Sequence, residues 1–68
     1  MQRVPVSSSN LRAVGYENHV LEVEFRNGRV YQYSGIPAEL HGQLMRAASK
    51  GRFLHLSVID RYPTRRIR

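Results

Sequence analysis

Glu22 and Glu24 stand two residues apart, which on a strand puts both carboxylates on one face, the arrangement of an acid–base pair. Nothing in the flanking sequence encloses them. Without a pocket they are solvated charges, and Arg26 and Arg29 are placed to pair with them across a hairpin. His19, His41 and His55 share no metal-ligand spacing; they read as imidazoles in a turn, on a helix flank and in an ambiguous segment. Ser7-Ser8-Ser9 lacks the glycine frame of a nucleophile elbow and reads as a turn, because short hydroxyl side chains compete for nearby backbone groups. There is no cysteine, which excludes disulfides and thiolate metal sites, and no glycine-rich phosphate loop. The chemistry-bearing residues therefore point to a protein that is not an enzyme and holds no metal or cofactor.

Charge is more informative. Net charge is +6, and its placement is uneven. From Met1 to Met45 four basic residues (Arg3, Arg12, Arg26, Arg29) face four acidic ones (Glu17, Glu22, Glu24, Glu39). From Arg46 onward seven basic residues (Arg46, Lys50, Arg52, Arg61, Arg65, Arg66, Arg68) face only Asp60. Ten of the eleven basic residues are arginine, whose planar fork suits bidentate contact with phosphate. Such a cluster tracks a nucleic-acid backbone without reading its sequence. It equally serves solubility, and Arg46, Lys50 and Arg52 near a helix end stabilise the helix dipole.

A 68-residue chain makes one domain, residues 1–68, of marginal stability, since it buries only roughly 60% of its unfolded surface. No apolar run approaches the ~18 residues of a membrane span, and Met1-Gln2-Arg3-Val4-Pro5 lacks the apolar core of a signal peptide. The expected compartment is the cytoplasm, with no membrane partner.

The elements that must position these residues centre on Leu21 to Tyr33. Leu21, Val23 and Phe25 alternate with the glutamates, the period of a half-buried strand. Asn27-Gly28 turns the chain back into an arm rich in aromatic and β-branched residues. With Leu11–Glu17 ahead of it, this predicts an antiparallel meander over roughly 11–17, 19–26 and 29–34. Ile36, Leu40, Leu44, Ala47 and Ala48 recur at helical spacing, with Pro37 at the first helical position and Gly51 as a cap. This predicts one main helix over about 37–49 that covers the sheet in an α+β fold. Gly42 inside it marks close approach to the sheet. Residues 52–62 are ambiguous and read as a short helix running into an extended segment. Residues 63–68 read as a mobile basic tail.

The hairpin has two possible registers. A two-residue loop places Tyr31 and Tyr33 on the open face beside Glu22 and Glu24, as a stacking platform for single-stranded nucleic acid. A three-residue loop with a bulge at Gly28 puts Tyr31 opposite Val23 and Tyr33 opposite Leu21, in the core. Patterning favours the bulge, which leaves only Val30 among polar residues.

Val6-Ser7-Ser8, Val14-Gly15-Tyr16, Leu21–Gly28, Tyr31-Gln32-Tyr33, Ile36-Pro37, Ala47–Gly51 and Tyr62-Pro63 together resemble the KTSC domain over roughly Val4 to Pro63. That family is named for the C-terminus of some lysyl-tRNA synthetases and also occurs as small bacterial or phage proteins. The resemblance implies a compact unit, carries no established activity, and brings a suggestion of RNA binding. In the family pattern an asparagine often stands where His55 is and a basic residue where Ile59 is. The expected function is a non-catalytic module that binds RNA or single-stranded nucleic acid. Its expected contacts are Arg46, Lys50, Arg52, Arg61, Arg65, Arg66 and Arg68, with Tyr31 and Tyr33. The alternative is a protein-interaction module or small homodimer, completing its core through Val30 and the apolar Leu54-Leu56-Val58-Ile59 segment.

Overall fold

The computed structural model describes residues 1–68 and shows an α+β domain with one antiparallel sheet and two helices. The strands are β1 (Arg3–Pro5), β2 (Leu11–Glu17), β3 (Val20–Phe25), β4 (Val30–Ser34) and β5 (Thr64–Arg66), side by side in chain order. Helices α1 (Ala38–Arg46) and α2 (Lys50–Ser57) make the connection from β4 to β5. The expected central meander is present. The expected three strands become five because each edge of it recruits a terminal segment.

Register follows the bulged alternative. The amide of Phe25 donates to the Arg29 carbonyl at 2.9 Å and that of Gly28 to the Phe25 carbonyl at 3.0 Å, with Gly28 at φ 92°. Glycine takes that conformation at no steric cost. Tyr31 then lies opposite Val23 and Tyr33 opposite Leu21. The β2–β3 turn uses the same backbone chemistry, with Asn18 at φ 51° and His19 at φ 63°. Ser8 holds the β1–β2 loop, its Oγ accepting from the amides of Asn10 and Leu11.

Leu11, Val14, Leu21, Val23 and Tyr33 on the sheet meet Ile36, Leu44, Leu54 and Val58 in one core. Tyr16 locks the sheet to the start of α1: its hydroxyl donates to the Ile36 carbonyl at 2.6 Å, and its ring stacks on His41, with centroids 4.4 Å apart and planes within 7°. Burial in this stack pushes the His41 pKa below its usual value.

The helical region differs from expectation at four points. The main helix expected over 37–49 already stops at Arg46, and the short helix expected in the segment after Gly51 begins at Lys50, as α2. Pro37 is the N-cap of α1 at ψ 149°, so its backbone is still extended. The break falls at Ala47, and Ser49 caps α2 by accepting from the Arg52 amide at 3.4 Å. Gly51 therefore does not end a helix; it sits in the first turn of α2, where a Cβ would stand 2.9 Å from Asn10 Nδ2. Gly42 does not meet the sheet: the only side chain close to it is that of Arg46, which lies over it.

The segment expected as a mobile tail forms β5, with Arg66 opposite Tyr31 and Arg65 opposite Gln32. The amides of both Ile67 and Arg68 donate to the Val30 carbonyl, so two residues oppose one, as in a β-bulge. The bulge turns Arg68 toward the face of the sheet that carries no helix. There Arg68 Nη2 meets Glu24 at 3.2 Å, while Arg3 Nη1 meets Glu22 at 2.9 Å and its Nε meets Glu24 at 3.8 Å. Gln32 Nε2 donates to Glu22 at 2.8 Å. Glu22 is accordingly buried and Val30 is only 1% exposed. The residue expected to be stranded is sealed by β5, and the arginines that neutralise the glutamates come from the chain ends, not from the hairpin.

Candidate functional site

Pairing register sorts the basic residues into two groups. Arg3 and Arg68 are held by Glu22 and Glu24; the other nine of the eleven basic side chains have no carboxylate partner. Four of these nine gather at the hairpin end. Arg29 lies opposite Phe25 and Arg66 opposite Tyr31, so both stand on the helix-bearing face. Arg26 Nε donates to the Ser8 carbonyl at 2.8 Å, and Arg12 Nη2 to the Arg26 carbonyl at 3.4 Å. Each of these bonds uses one of an arginine's five donors and holds the guanidinium without cancelling its charge.

Aromatic surface lies within this group. Phe25 and Tyr31 make an edge-to-face contact, centroids 5.6 Å apart and planes at 78°, and both are half-buried. Tyr33 is not part of this surface. Its ring is 3% exposed in the core, so it offers no stacking face. No buried side-chain polar atom lacks a partner and the Tyr33 hydroxyl bonds no protein group, so that hydroxyl reaches solvent at its tip. Burial, with the nearby Tyr31, pushes its pKa up to about 12.

Beside Phe25 a groove of about 350 Å³ runs between the β1–β2 loop, the hairpin turn and α2. Phe25, Leu54 and Ile59 give it an apolar wall; Ser9, Asn10, Arg26, Asn27 and His55 line the rest, with Gly51. No carboxylate lines it. The loop and hairpin that form it are tied together by the Arg26 amide donating to the Asn10 carbonyl at 3.0 Å. Asn27 Oδ1 accepts from the Arg29 amide, leaving its Nδ2 free, and the side chains of Asn10 and His55 have no protein partner. No group of three or more His, Cys, Asp or Glu side chains gathers to hold a metal ion.

The residues expected from sequence are dispersed. Arg66 and Tyr31 join the hairpin end. Arg65 lies on the opposite face with Gln32, and Arg68 is consumed by Glu24. Lys50 Nζ donates to the Ala47 carbonyl and Arg61 Nε to the Leu56 carbonyl, while Arg46 folds over Gly42; Arg52 is exposed on α2. The last third of the sequence is therefore not one basic surface. Arg12, Arg26 and Arg29 belong to the cluster instead, and charge counting along the chain misses them because the acidic residues of the same stretch, Glu22 and Glu24 among them, cancel them in the sum. Asn10 and Asn27 carry no signal beyond their turns.

The fold and this surface define a small α+β module whose distinctive asset is a groove free of carboxylates, lined by Arg26 and lying beside further arginines that have no carboxylate partner. The KTSC domain profile matches residues 7–62, and the chain belongs to the KTSC family. A crystal structure of a KTSC domain protein from Yersinia pestis superposes with a TM-score of 0.94 at 42% identity, covering 98% of this chain and 97% of that one. An uncharacterised protein of Stutzerimonas stutzeri is 46% identical over 54 residues, 76% of each chain. A protein of Tsukamurella paurometabola is 37% identical over 60 residues, covering 85% of this chain and 90% of that one. No helix is long and apolar enough to cross a membrane.

Proposed function

We propose that this domain is a non-catalytic module of the cytoplasm that binds RNA or another single-stranded nucleic acid through its hairpin end. The observation that carries this reading is the gathering of Arg12, Arg26, Arg29 and Arg66 around half-buried Phe25 and Tyr31, with no carboxylate lining the groove beside them. Unpaired arginines supply phosphate contacts, and partly exposed rings supply stacking surface. RNA is taken as the strand on the suggestion that comes with the resemblance alone.

The protein-interaction or homodimer reading has less support. Val30 and Val58 are fully buried and Leu54 is 1% exposed. The large apolar side chains that do reach solvent, Met1, Val4, Leu56 and Ile67, are divided among the N-terminus, β1, α2 and the end of β5. Titration of a labelled single-stranded RNA at two salt concentrations tests the nucleic-acid reading. Binding that weakens steeply with salt is expected. No detectable affinity at low salt, or affinity indifferent to salt, overturns it.

A further inference from the structure

We infer that the groove between the β1–β2 loop, the hairpin turn and α2 seats one unstacked nucleobase of the bound strand. In this arrangement the base lies against Phe25 and Ile59, Asn10 and His55 meet its hydrogen-bonding edge, and Arg26 takes the adjoining phosphate. This rests on the nucleic-acid reading above and adds base discrimination to it.

Three observations lead here. The first is where a base can find apolar surface. Tyr33 is inside the core, and Tyr31 already spends part of its ring on Phe25. The sheet therefore presents no open two-ring platform, and the wall of Phe25, Leu54 and Ile59 is the apolar surface that adjoins the arginines. The second is size. A groove of about 350 Å³ falls at the small end of ligand pockets, which run from roughly 300 to 1,000 Å³; that suits a single nucleotide and not a longer stacked segment. The third is the polar inventory. The Asn10 amide offers both donors and an acceptor, His55 offers a ring nitrogen of each kind when neutral, and Asn27 Nδ2 is a further donor. None of these groups is bonded within the protein. Arg26 keeps its terminal nitrogens free after its Nε bonds Ser8. Gly51 makes room for this arrangement, since a Cβ there would press on Asn10 Nδ2 at 2.9 Å.

The contacts expected are those by which proteins read unstacked bases in single strands, an apolar wall for the ring and amide or imidazole groups for its edge. A base with its own phosphate engages all three features at once: its ring the apolar wall, its edge the amide and imidazole groups, and its phosphate Arg26.

Fluorescence anisotropy on the folded full chain tests this with labelled RNA homopolymers of about 12 nucleotides, one strand carrying abasic sites, and the four free nucleoside monophosphates. The wild type is expected to bind the best homopolymer at least about fivefold more tightly than the worst. Asn10→Ala combined with His55→Ala should compress that spread to within about twofold and leave the salt slope unchanged, because no phosphate-binding arginine is altered. His55 is exposed, so His55→Ala alone serves if the double variant does not fold, and a partial compression is then expected. Equal affinity for all four homopolymers and the abasic strand, with salt-dependent binding retained, overturns the base seat while leaving the nucleic-acid reading standing. A spread that survives the substitutions also overturns it. A free mononucleotide bound as tightly as the strand reassigns the groove to a small ligand and overturns it. Absence of binding by every strand at low salt removes both readings together.

Discussion

On the helix-free face of the sheet, Arg3 and Arg68 reach in from the two ends of the chain and close over Glu22 and Glu24. At the hairpin end, Arg12, Arg26, Arg29 and Arg66 meet only backbone carbonyls or nothing. The residue type is the same, and alternation sets which face a strand side chain takes; on the face of the glutamates only Arg3 and Arg68 reach a carboxylate, while Arg65 stands there without one. On the first face arginine is structural material. Its stems cover a sheet surface that no helix covers, and its guanidiniums let two glutamates stay out of bulk water. At the other end the charge is left available.

Removing the buried carboxylate should break the closed face most severely. Glu22 accepts from both Arg3 and Gln32 and its side chain is 8% exposed. Glu22→Ala leaves both donors facing a void and should cost about 2 kcal/mol, a fall of roughly 8–16 °C in melting temperature for a domain this small. Thermal unfolding followed by circular dichroism checks it. A loss as small as that of an ordinary surface substitution would mean that the face is merely solvated and the comparison is false.

That closed face also shows which parts of the fold were legible. The hairpin register was, because five apolar residues, Leu21, Val23, Phe25, Tyr31 and Tyr33, align only with a bulge at Gly28. The terminal strands were not. Arg3-Val4-Pro5 and Thr64-Arg65-Arg66 are too short and too polar to show alternation, and their extended form is imposed by meander edges that need pairing. The helix break was written in Ser49, a good N-cap residue, but Ala47 and Ala48 before it are strong helix formers and masked it. The site was the least legible part. Arg12, Arg26 and Arg29 lie in the stretch whose charges cancel on paper, and only three-dimensional pairing reveals that the glutamates are spent on the chain ends.

The helix-bearing face holds its own contrast, between a buried tyrosine and a half-exposed one two residues away. The folded pKa of Tyr33 is raised from 10.0 to about 12, so the folded state keeps its proton where the unfolded state releases it. Stability from this source is fully present below pH 10 and is lost as pH rises from 10 toward 12. Ultraviolet titration should show one tyrosine ionising late, and Tyr33→Phe should remove that late phase. Late ionisation that persists in Tyr33→Phe would assign burial to another ring.

Arg68 tests how much of the closed face depends on β5. Its side chain is 60% exposed, so Arg68→Ala should cost no more than about 1 kcal/mol. The effect should be local: hydrogen exchange should quicken at the Val30 amide, which donates to the Arg68 carbonyl at 2.8 Å, while the amides of β2 and β3 keep their protection. Exchange that quickens equally across the sheet would show that β5 is bound into the global fold and is not a separable edge.

The smallest effects on stability should come from the open end, and they carry the comparison. Arg26, Arg29 and Arg66 are exposed and touch no carboxylate, so each alanine substitution should change unfolding free energy by at most about 0.5 kcal/mol. Charge reversal at one of them, Arg29→Glu, should stay close to that range, whereas in the closed face an added negative charge would sit among two glutamates. The same three alanine substitutions should each weaken RNA binding and lower the salt slope by about 1, the signature of one lost phosphate contact. Glu22→Ala, measured at a temperature where it remains folded, should leave that slope intact. The double dissociation is what the register demands: stability without binding on one face, binding without stability at the other. Arginines that moved both quantities together would show that the two ends are a single electrostatic unit, and that the free charge at the hairpin is held in place by the pairs behind the sheet.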